Sequence, residues 1–154
     1  MRTRLATTLL LALVAAAVFA TPEMAATGSR SESASLTVRD SQYGRIVFDS
    51  SGRALYAFTR DRRGRPSTCY GACATAWPPY IVSGRLRAGA GTKRNLLGTT
   101  RRRDGRRQLT YRGWPLYYYV SDREPGQVLC QNVFGFGGLW LVQRPNGNLV
   151  RLPR

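Results

Sequence analysis

Cysteine is the most reactive residue type in this chain, and three cysteines are present. Cys69 and Cys73 lie four positions apart, which is close enough for a disulfide within a turn or a distorted helical turn. Cys130 lies much farther along the chain, and spacing alone permits all three pairings. A bridge that includes Cys130 would close the longer loop and constrain the unfolded chain more, so we favour such a bridge.

The same three thiols could instead carry out chemistry. Cys69 and Cys73, with Cys130 as a third ligand, could hold a soft metal such as Cu(I) or take part in thiol–disulfide exchange. The neighbouring arginines oppose the capture of a cation. Disulfides are usual in exported proteins, and the N-terminal signal described below indicates export. A structural disulfide is therefore the favoured interpretation.

Histidine is absent from the sequence, and its absence excludes several kinds of catalytic site. Neither a Ser-His-Asp nor a Cys-His nucleophile can form, and no metal can be bound through histidine. Three cysteines and a few scattered carboxylates do not indicate a closed zinc site, and no pair of carboxylates has a spacing that indicates hydrolysis. We therefore predict no catalytic residues, no metal site and no cofactor.

Arginine dominates the charge of the chain. The sequence has 24 Lys and Arg residues and 8 Asp and Glu residues, for a formal net charge of +16, and Lys93 is the only lysine. A charge of this size favours association with anionic material but does not identify that material. A coding bias toward arginine would produce the same composition, so both interpretations stay open here.

The densest group of arginines surrounds an Asp-Gly pair at 104–105, which predicts a tight hairpin turn between two strands. The arms of this hairpin would carry a concentrated positive charge, formed by Arg101, Arg102, Arg103, Arg106 and Arg107. These arginines are candidates for binding a phosphate-bearing cell-wall polymer or anionic lipid headgroups. A solvated loop without a ligand is the alternative. Nucleic acid is not an expected partner, because no known nucleic-acid-binding module is visible.

A short motif of the form Tyr-x-aromatic-x-x-Asp occurs twice in the chain. Its two copies, at an offset of 61 residues, are Tyr56, Phe58 and Asp61, and Tyr117, Tyr119 and Asp122. Further matches at this offset are Gly52 with Gly113, Leu55 with Leu116 and Cys69 with Cys130. A shift of two more residues places Trp77 on Trp140. Such ordered self-similarity predicts an internal repeat.

Each copy of the motif has the pattern of a strand that ends at a corner. Alternation along a strand places Tyr56 and Phe58 on one face, and likewise Tyr117 and Tyr119. The aspartate follows where the strand ends, and its short carboxylate can accept hydrogen bonds from backbone N–H groups in the turn. Aromatic faces with carboxylates also suit sugars and cations. We favour the structural interpretation, because equivalent positions in two repeats indicate a packing rule.

The rest of the sequence consists of short strand-like runs separated by turns, with one short helical piece near residues 70–76. The predicted strands are 36–39, 44–48, 54–59, 108–111, 115–120, 139–143 and 149–152. We predict an all-β fold in which two pseudo-symmetric repeats of antiparallel strands form a small sandwich or barrel. The expected core holds the motif aromatics together with Leu55 and Leu116. Three tryptophans are expected to be partly buried: Trp77, Trp114 and Trp140.

The N-terminus has the features of a secretory signal peptide. Arg2 and Arg4 precede an apolar run at residues 9–20, which is short for a membrane span. We predict a signal peptide at 1–20 that is cleaved before Thr21. An uncleaved anchor helix is the alternative.

Downstream of the signal, the composition changes at about residue 36. Residues 21–35 are rich in Ser, Ala, Thr and Glu without apolar periodicity, which predicts a flexible leader. The repeat domain would then cover 36–154, with repeat one at 36–82, a connector at 83–107 and repeat two at 108–152. We expect a secreted or envelope-associated protein with no transmembrane segment after signal removal. The sequence does not specify an oligomeric state.

Together these motifs resemble a family of bacterial secreted repeats, often described as predicted lipoproteins and defined by the Tyr-x-(Phe/Trp/Tyr)-x-x-Asp motif. The resemblance includes the segment from Cys69 to Ala74, which runs into Trp77, and the Gly-Phe-Gly-Gly-Leu-Trp segment at 135–140. It covers about residues 36–142 and implies an exported envelope protein, in a family without an established activity. The chain departs from many members because it has no cysteine near the cleavage site that could carry a lipid anchor.

Overall fold

The computed structural model describes residues 34–151, which form nine short strands, one short α-helix and one turn of 3-10 helix at Arg94–Leu96. The strands are β1 (Ala34–Arg39), β2 (Ile46–Asp49), β3 (Tyr56–Phe58), β4 (Leu86–Ala88), β5 (Leu97–Arg101), β6 (Arg107–Tyr111), β7 (Trp114–Pro115), β8 (Val133–Gly135) and β9 (Gly138–Val142). The helix α1 spans Ala72–Ala76. No helix in this part of the chain is long and apolar enough to cross a membrane. The predicted signal peptide and residues 21–33 of the predicted leader lie outside the described residues. The last two residues of the predicted leader, Ala34 and Ser35, belong to β1, so the folded domain begins earlier than predicted.

The strands form three open sheets of three strands each. Their strand orders are β2-β1-β4, β3-β9-β8 and β5-β6-β7. The all-β prediction with one short helical turn is therefore confirmed, and the sheets do not close into the barrel that was one of the two predicted arrangements. Strands β1 and β4 pair in parallel, which the local sequence pattern did not predict. A parallel pair needs a long crossover, and the chain between these two strands is long enough to supply it.

The two halves of the chain begin with the same unit, an antiparallel pair of strands. In the first half β1 pairs with β2, and in the second half β5 pairs with β6 over five registered positions. Strands β4 and β5 both lie within the predicted connector at 83–107. Their residues are mostly half-buried or exposed and rich in Gly, Thr and Arg, so they lack the alternation that makes a strand visible in a sequence.

Two of the predicted strands are shorter in the structure. Residues 115–120 form a strand only at their start, in β7, and Tyr117 then makes single backbone bridges with Tyr56 and Pro79. The last predicted strand, at 149–152, makes one bridge, between Leu149 and Gln143. Both segments therefore pair with their neighbours at single positions and not along a continuous ladder.

The core has two parts, and the repeat motifs fill one of them. The first cluster is largely aromatic and includes Tyr56, Phe58, Trp77, Tyr117 and Trp140. The second is largely aliphatic and includes Leu36, Leu55, Leu109, Tyr111 and Leu116. Tyr119, which was expected in the core, is half-buried, and Trp114 is half-buried as expected. Trp77 and Trp140 are buried more deeply than the partial burial expected of them. The aromatic cluster joins the two halves of the chain, so neither half can bury its motif alone.

Candidate functional site

The two motif tyrosines lie opposite each other at the centre of the molecule. The backbone N–H of Tyr56 donates to the carbonyl of Tyr117 at 2.8 Å, and the N–H of Tyr117 donates back to the carbonyl of Tyr56 at 2.9 Å. This closed pair of bonds joins equivalent positions of the two repeats. An approximate twofold axis therefore passes between them and relates the motif side chains.

The side chains of the motif are exchanged between the repeats. The Tyr56 hydroxyl donates to Asp122 Oδ2 at 2.7 Å, and the Tyr117 hydroxyl donates to Asp61 Oδ2 at 2.6 Å. All four residues are buried, with at most 2% of each exposed. Each tyrosine thus satisfies the carboxylate of the other repeat, and a hydrogen bond to a carboxylate is stronger than one between neutral groups. The Tyr-x-aromatic-x-x-Asp pattern therefore serves contacts between repeats.

Each motif aspartate also closes the corner that follows its own strand. The Asp61 Oδ1 atom accepts the backbone N–H and the hydroxyl of Thr68, both at 2.7 Å. The Asp122 Oδ1 atom accepts the N–H of Leu129 at 3.0 Å. Thr68 and Leu129 are themselves one repeat apart in the sequence. Both carboxylates therefore have the same backbone role, which is the stapling role predicted from their short side chains.

Burial controls the titration of this network. Loss of solvent raises the pKa of Asp61 and of Asp122, although the hydrogen bonds they accept act in the opposite direction. Burial also raises the pKa of Tyr56 and of Tyr117, and the nearby carboxylates add to that rise. The tyrosines therefore stay neutral donors, which suits a structural network better than an acid–base pair.

Four aromatic rings, taken alternately from the two repeats, form a stack beside this network. Phe58 lies 4.2 Å from Trp140, Trp140 lies 3.9 Å from Trp77, and Trp77 lies 4.6 Å from Tyr119, measured between ring centroids. The two indole planes are within 2° of parallel. The repeat-equivalent tryptophans, Trp77 and Trp140, therefore lie at the centre of the stack. An open aromatic face for a sugar is not formed, because the rings cover one another.

Arg102 has no counterpart in the repeat symmetry, and its side chain is buried. Its Nη1 atom donates to Ser67 Oγ at 2.9 Å and to Gln108 Oε1 at 2.7 Å, and its Nη2 atom donates to the Cys69 carbonyl at 2.8 Å. Contrary to the prediction, Arg102 therefore does not belong to an exposed anion site. Strand β5 ends at the exposed Arg101, and alternation directs the next side chain inward.

The other four arginines around the 104–105 turn are exposed, and we call them the arginine tip: Arg101, Arg103, Arg106 and Arg107. Arg101 and Arg107 are directly opposite each other in the β5–β6 ladder. Arg106 donates from Nε and Nη2 to Asp104 Oδ2, at 2.9 and 2.6 Å, and these bonds lower the pKa of that carboxyl. The predicted hairpin is present and carries exposed arginines on both arms, but Arg102 is buried and is not one of them.

Carboxylates do little to neutralise the exposed surface. Asp49, Asp61 and Asp122 are buried, so their charges are used inside the domain. Between residues 34 and 151, ion pairs form only where Asp104 meets Arg106 at 2.6 Å and Arg102 at 3.9 Å. The remaining exposed arginines in this part of the chain have no carboxylate within ion-pair distance. The surface is therefore more basic than the net charge alone would indicate.

The cysteines pair differently from the favoured prediction. Cys69 and Cys73 form a disulfide with their Cα atoms 5.3 Å apart, and Cys130 is a buried free thiol. A bridge to Cys130 was therefore the wrong choice. That choice weighed the entropy of the unfolded chain, whereas the turn leading into α1 already places the first two cysteines within reach of each other.

The disulfide also removes the proposed three-thiol ligand set in this form of the protein. Among residues 34–151, no group of three Cys, Asp, Glu or His side chains is arranged to hold a metal ion. Burial raises the pKa of Cys130, which disfavours the reactive thiolate. The thiol chemistry considered from the sequence would therefore require reduction and rearrangement first.

We expect the native protein, without reductant, to show no thiol that reacts rapidly with a thiol reagent. Unfolding in denaturant should expose one reactive thiol per chain, and peptide mapping should place the label on Cys130. The reason is that a buried thiol with a raised pKa reacts only when the chain opens. Rapid labelling of the native protein, or a label on Cys69 or Cys73, would show that another pairing is populated.

Comparison with known protein families agrees with this two-part organisation. A family model described as a secreted repeat of unknown function matches residues 37–80 and again residues 98–143. The second match begins in β5, which agrees with the equivalent β1–β2 and β5–β6 units. No curated protein and no solved structure matches the chain. Because the two matches together span more than half of the sequence, this chain belongs to the family of secreted repeats of unknown function.

Proposed function

We propose that this protein is a non-catalytic binding module of the cell envelope or its surroundings, which holds an anionic envelope polymer through the arginine tip. The predicted signal peptide at 1–20 would export it, and the family to which it belongs is described as secreted. The observation that carries the proposal is the position of Arg101 and Arg107, opposite each other and without a carboxylate partner.

This arrangement costs stability unless an anion is bound. Like charges directly opposite each other on two strands destabilise the pair, and side chains at such positions lie about 5 Å apart at Cβ. A phosphate group between Arg101 and Arg107 would replace the repulsion with two attractive contacts. The planar guanidinium presents a fork of N–H donors that matches phosphate oxygens, so arginine suits this ligand better than lysine.

The hairpin that carries the arginine tip is anchored to the rest of the domain by hydrogen bonds. The buried Arg102 links its turn to Ser67 and Gln108, and the Arg103 backbone N–H donates to the Tyr70 hydroxyl at 3.1 Å. The Arg103 guanidinium lies 4.8 Å from the centre of the Tyr70 ring. A binding site on an anchored hairpin loses less conformational entropy when it binds than one on a free loop.

A polymer with repeated phosphodiester groups fits this surface best. Each exposed arginine pair can contact one charge, and several weak contacts along one chain combine through their high effective concentration. Such binding depends on exposed charges, so added salt must weaken it. A wall polymer of this chemistry is therefore the proposed partner of the arginine tip.

The test is binding of the mature chain, from Thr21 onward, to a purified phosphodiester wall polymer across a salt series. Replacing the arginine tip (Arg101→Gln, Arg103→Gln, Arg106→Gln and Arg107→Gln together) should weaken binding about tenfold or more. Four exposed contacts of about 0.3–1 kcal/mol each would give an effect of that size. Neutralising four other exposed arginines provides a matched control of equal charge change: Arg85→Gln, Arg87→Gln, Arg94→Gln and Arg123→Gln.

The two variants have the same net charge, so comparing them separates a site from a general charge effect. We expect the control variant to lose about threefold or less, through long-range attraction alone. Equal losses in the two variants would show that the charge acts without a site. Binding that does not change with salt would contradict the proposal altogether.

A further inference from the structure

The β8–β9 hairpin exposes aromatic side chains that the rest of the domain does not cover. Phe134 is 71% exposed and Phe136 is 46% exposed, and the neighbouring Val133 is 39% exposed. Phe58 and Phe48, by contrast, are buried. Two phenylalanines and a valine within four residues form an apolar tip, which is uncommon on a soluble surface unless something binds there.

The turn at the end of this hairpin holds Phe136, one of the two exposed phenylalanines, in a strained backbone conformation. Gly135 pairs with Gly138, which leaves a two-residue turn made of Phe136 and Gly137. Both have positive φ, of 53° and 82°, as a type I′ turn requires. Asn, Asp or Gly is favoured at the first of these positions, and a bulky residue is rare there. Burial of the Phe136 ring does not compensate for this strain, because the ring is exposed. The effect of the strained turn is therefore to present the ring to solvent.

Cations lie beside the apolar tip. Arg60 Nη1 donates to the Phe136 carbonyl at 3.1 Å, which places a guanidinium beside the turn. A groove of about 610 Å³ next to the tip is lined by Thr59, Asn132, Phe134, Gly137, Gly138, Leu139 and Arg151. Arginine supplies the only charge among these lining residues. The hairpin therefore combines exposed aromatic rings with positive charge and no negative charge in its lining.

We propose that the β8–β9 hairpin docks on the surface of an anionic lipid bilayer. Phe134 and Phe136 enter the boundary between headgroups and acyl chains, while Arg60 and Arg151 contact lipid phosphates. Exposed apolar side chains with flanking basic residues are the combination that binds at this boundary. The only charge in the lining is the positive charge of Arg151, and Arg60 lies beside the turn, so the hairpin fits an anionic surface better than the mixed charges of a protein partner. This surface is separate from the arginine tip.

The experiment is co-sedimentation of the mature chain with vesicles of phosphatidylglycerol, compared with vesicles of phosphatidylcholine. We expect strong preference for the anionic vesicles, and about a tenfold or greater loss for Phe134→Ser with Phe136→Ser. A matched control replaces two exposed apolar residues outside the hairpin, Val120→Ser with Leu129→Ser, and should retain binding. The single variant Phe136→Asn suits the turn, so it should fold well and still bind more weakly.

Three results would overturn the proposal. The first is unchanged vesicle binding by both phenylalanine variants, and the second is an equal loss in the Val120 and Leu129 control. The third is a phenylalanine variant that alters the oligomeric state of the protein but not its vesicle binding, because the hairpin would then join two copies of the chain. Polymer binding by the arginine tip is measured separately, so failure of one proposal leaves the other standing.

Discussion

Replacing Trp140 with alanine is expected to lower the free energy of unfolding by about 3–5 kcal/mol, the range for large-to-small changes of a buried aromatic. Trp140 is fully buried between Phe58 and Trp77, and its ring also lies perpendicular to the Tyr117 ring, with 5.2 Å between the ring centroids. Its Nε1 atom has no hydrogen-bond partner among the described residues. The loss is therefore one of packing, and a cavity would form at the junction of the repeats.

Urea denaturation at neutral pH measures this effect, with Trp114→Ala as the comparison. Trp114 is half-buried and lies outside the stack, so its replacement should cost distinctly less. Trp77→Ala, at the equivalent position of the other repeat, should approach the cost of Trp140→Ala. A loss of about 1 kcal/mol or less for Trp140→Ala would mean that the stack does not hold the repeats together.

Replacing Asp61 with alanine should destabilise the protein by about 2–4 kcal/mol. The change removes an acceptor from the Tyr117 hydroxyl and from both the N–H and the hydroxyl of Thr68. A hydrogen bond to a charged group contributes about 1.5–3 kcal/mol, and the Tyr117 hydroxyl keeps its contact with Ser67 Oγ at 2.6 Å. Asp122→Ala removes two hydrogen bonds, one fewer than Asp61→Ala, so it should lower the free energy of unfolding somewhat less. The exposed Asp40→Ala serves as the control and should be close to neutral.

The pH dependence of the Asp61 effect has a definite sign. Burial raises the pKa of Asp61 in the folded state, so the folded chain binds its proton more tightly than the unfolded chain. That contribution to stability is complete below the unfolded pKa and is lost as the pH rises through the folded pKa. The stability difference between the wild type and Asp61→Ala should therefore shrink with rising pH in this window. A difference that grows with pH would show that the folded-state pKa is lowered instead.

The core network and the exposed surfaces have distinct roles. The motif tyrosines and aspartates, and the two stacked tryptophans, lie within the domain, where they join one repeat to the other. The arginine tip and the β8–β9 hairpin, in contrast, are presented outward by strands that this core holds. Surface loops can therefore vary without disturbing the core network that joins the repeats.

Local sequence patterns were sufficient to predict the repeat and most of its strands. The offset of 61 residues brought together Tyr56 and Tyr117, which the structure pairs through their backbones. An Asp-Gly pair at 104–105 was enough to place a hairpin turn between two strands. Such features are visible because turn chemistry and side-chain alternation act over a few residues.

Contacts between residues that are distant in the sequence could not be predicted from such local patterns. The tyrosine and the aspartate of one motif lie close together in the sequence, yet they do not bond each other. Each motif tyrosine donates instead to the aspartate of the other repeat. The exposure of Phe134 has no local signal in the sequence, because the segment that follows it, at 135–140, resembles only the end of a repeat. A hint was present in Phe136, which stands where a two-residue turn favours Asn or Gly.

The sequence by itself determined the class of this protein: a strand-rich double repeat with a strongly basic composition, of a recognisable secreted family. Only the tertiary structure decided that Arg102 is buried while its neighbours are exposed, that Cys69 pairs with Cys73, and that the motifs bond across the repeats. The reason is physical. Composition and periodicity are properties of short segments, whereas burial and pairing depend on which segments meet after the chain has folded.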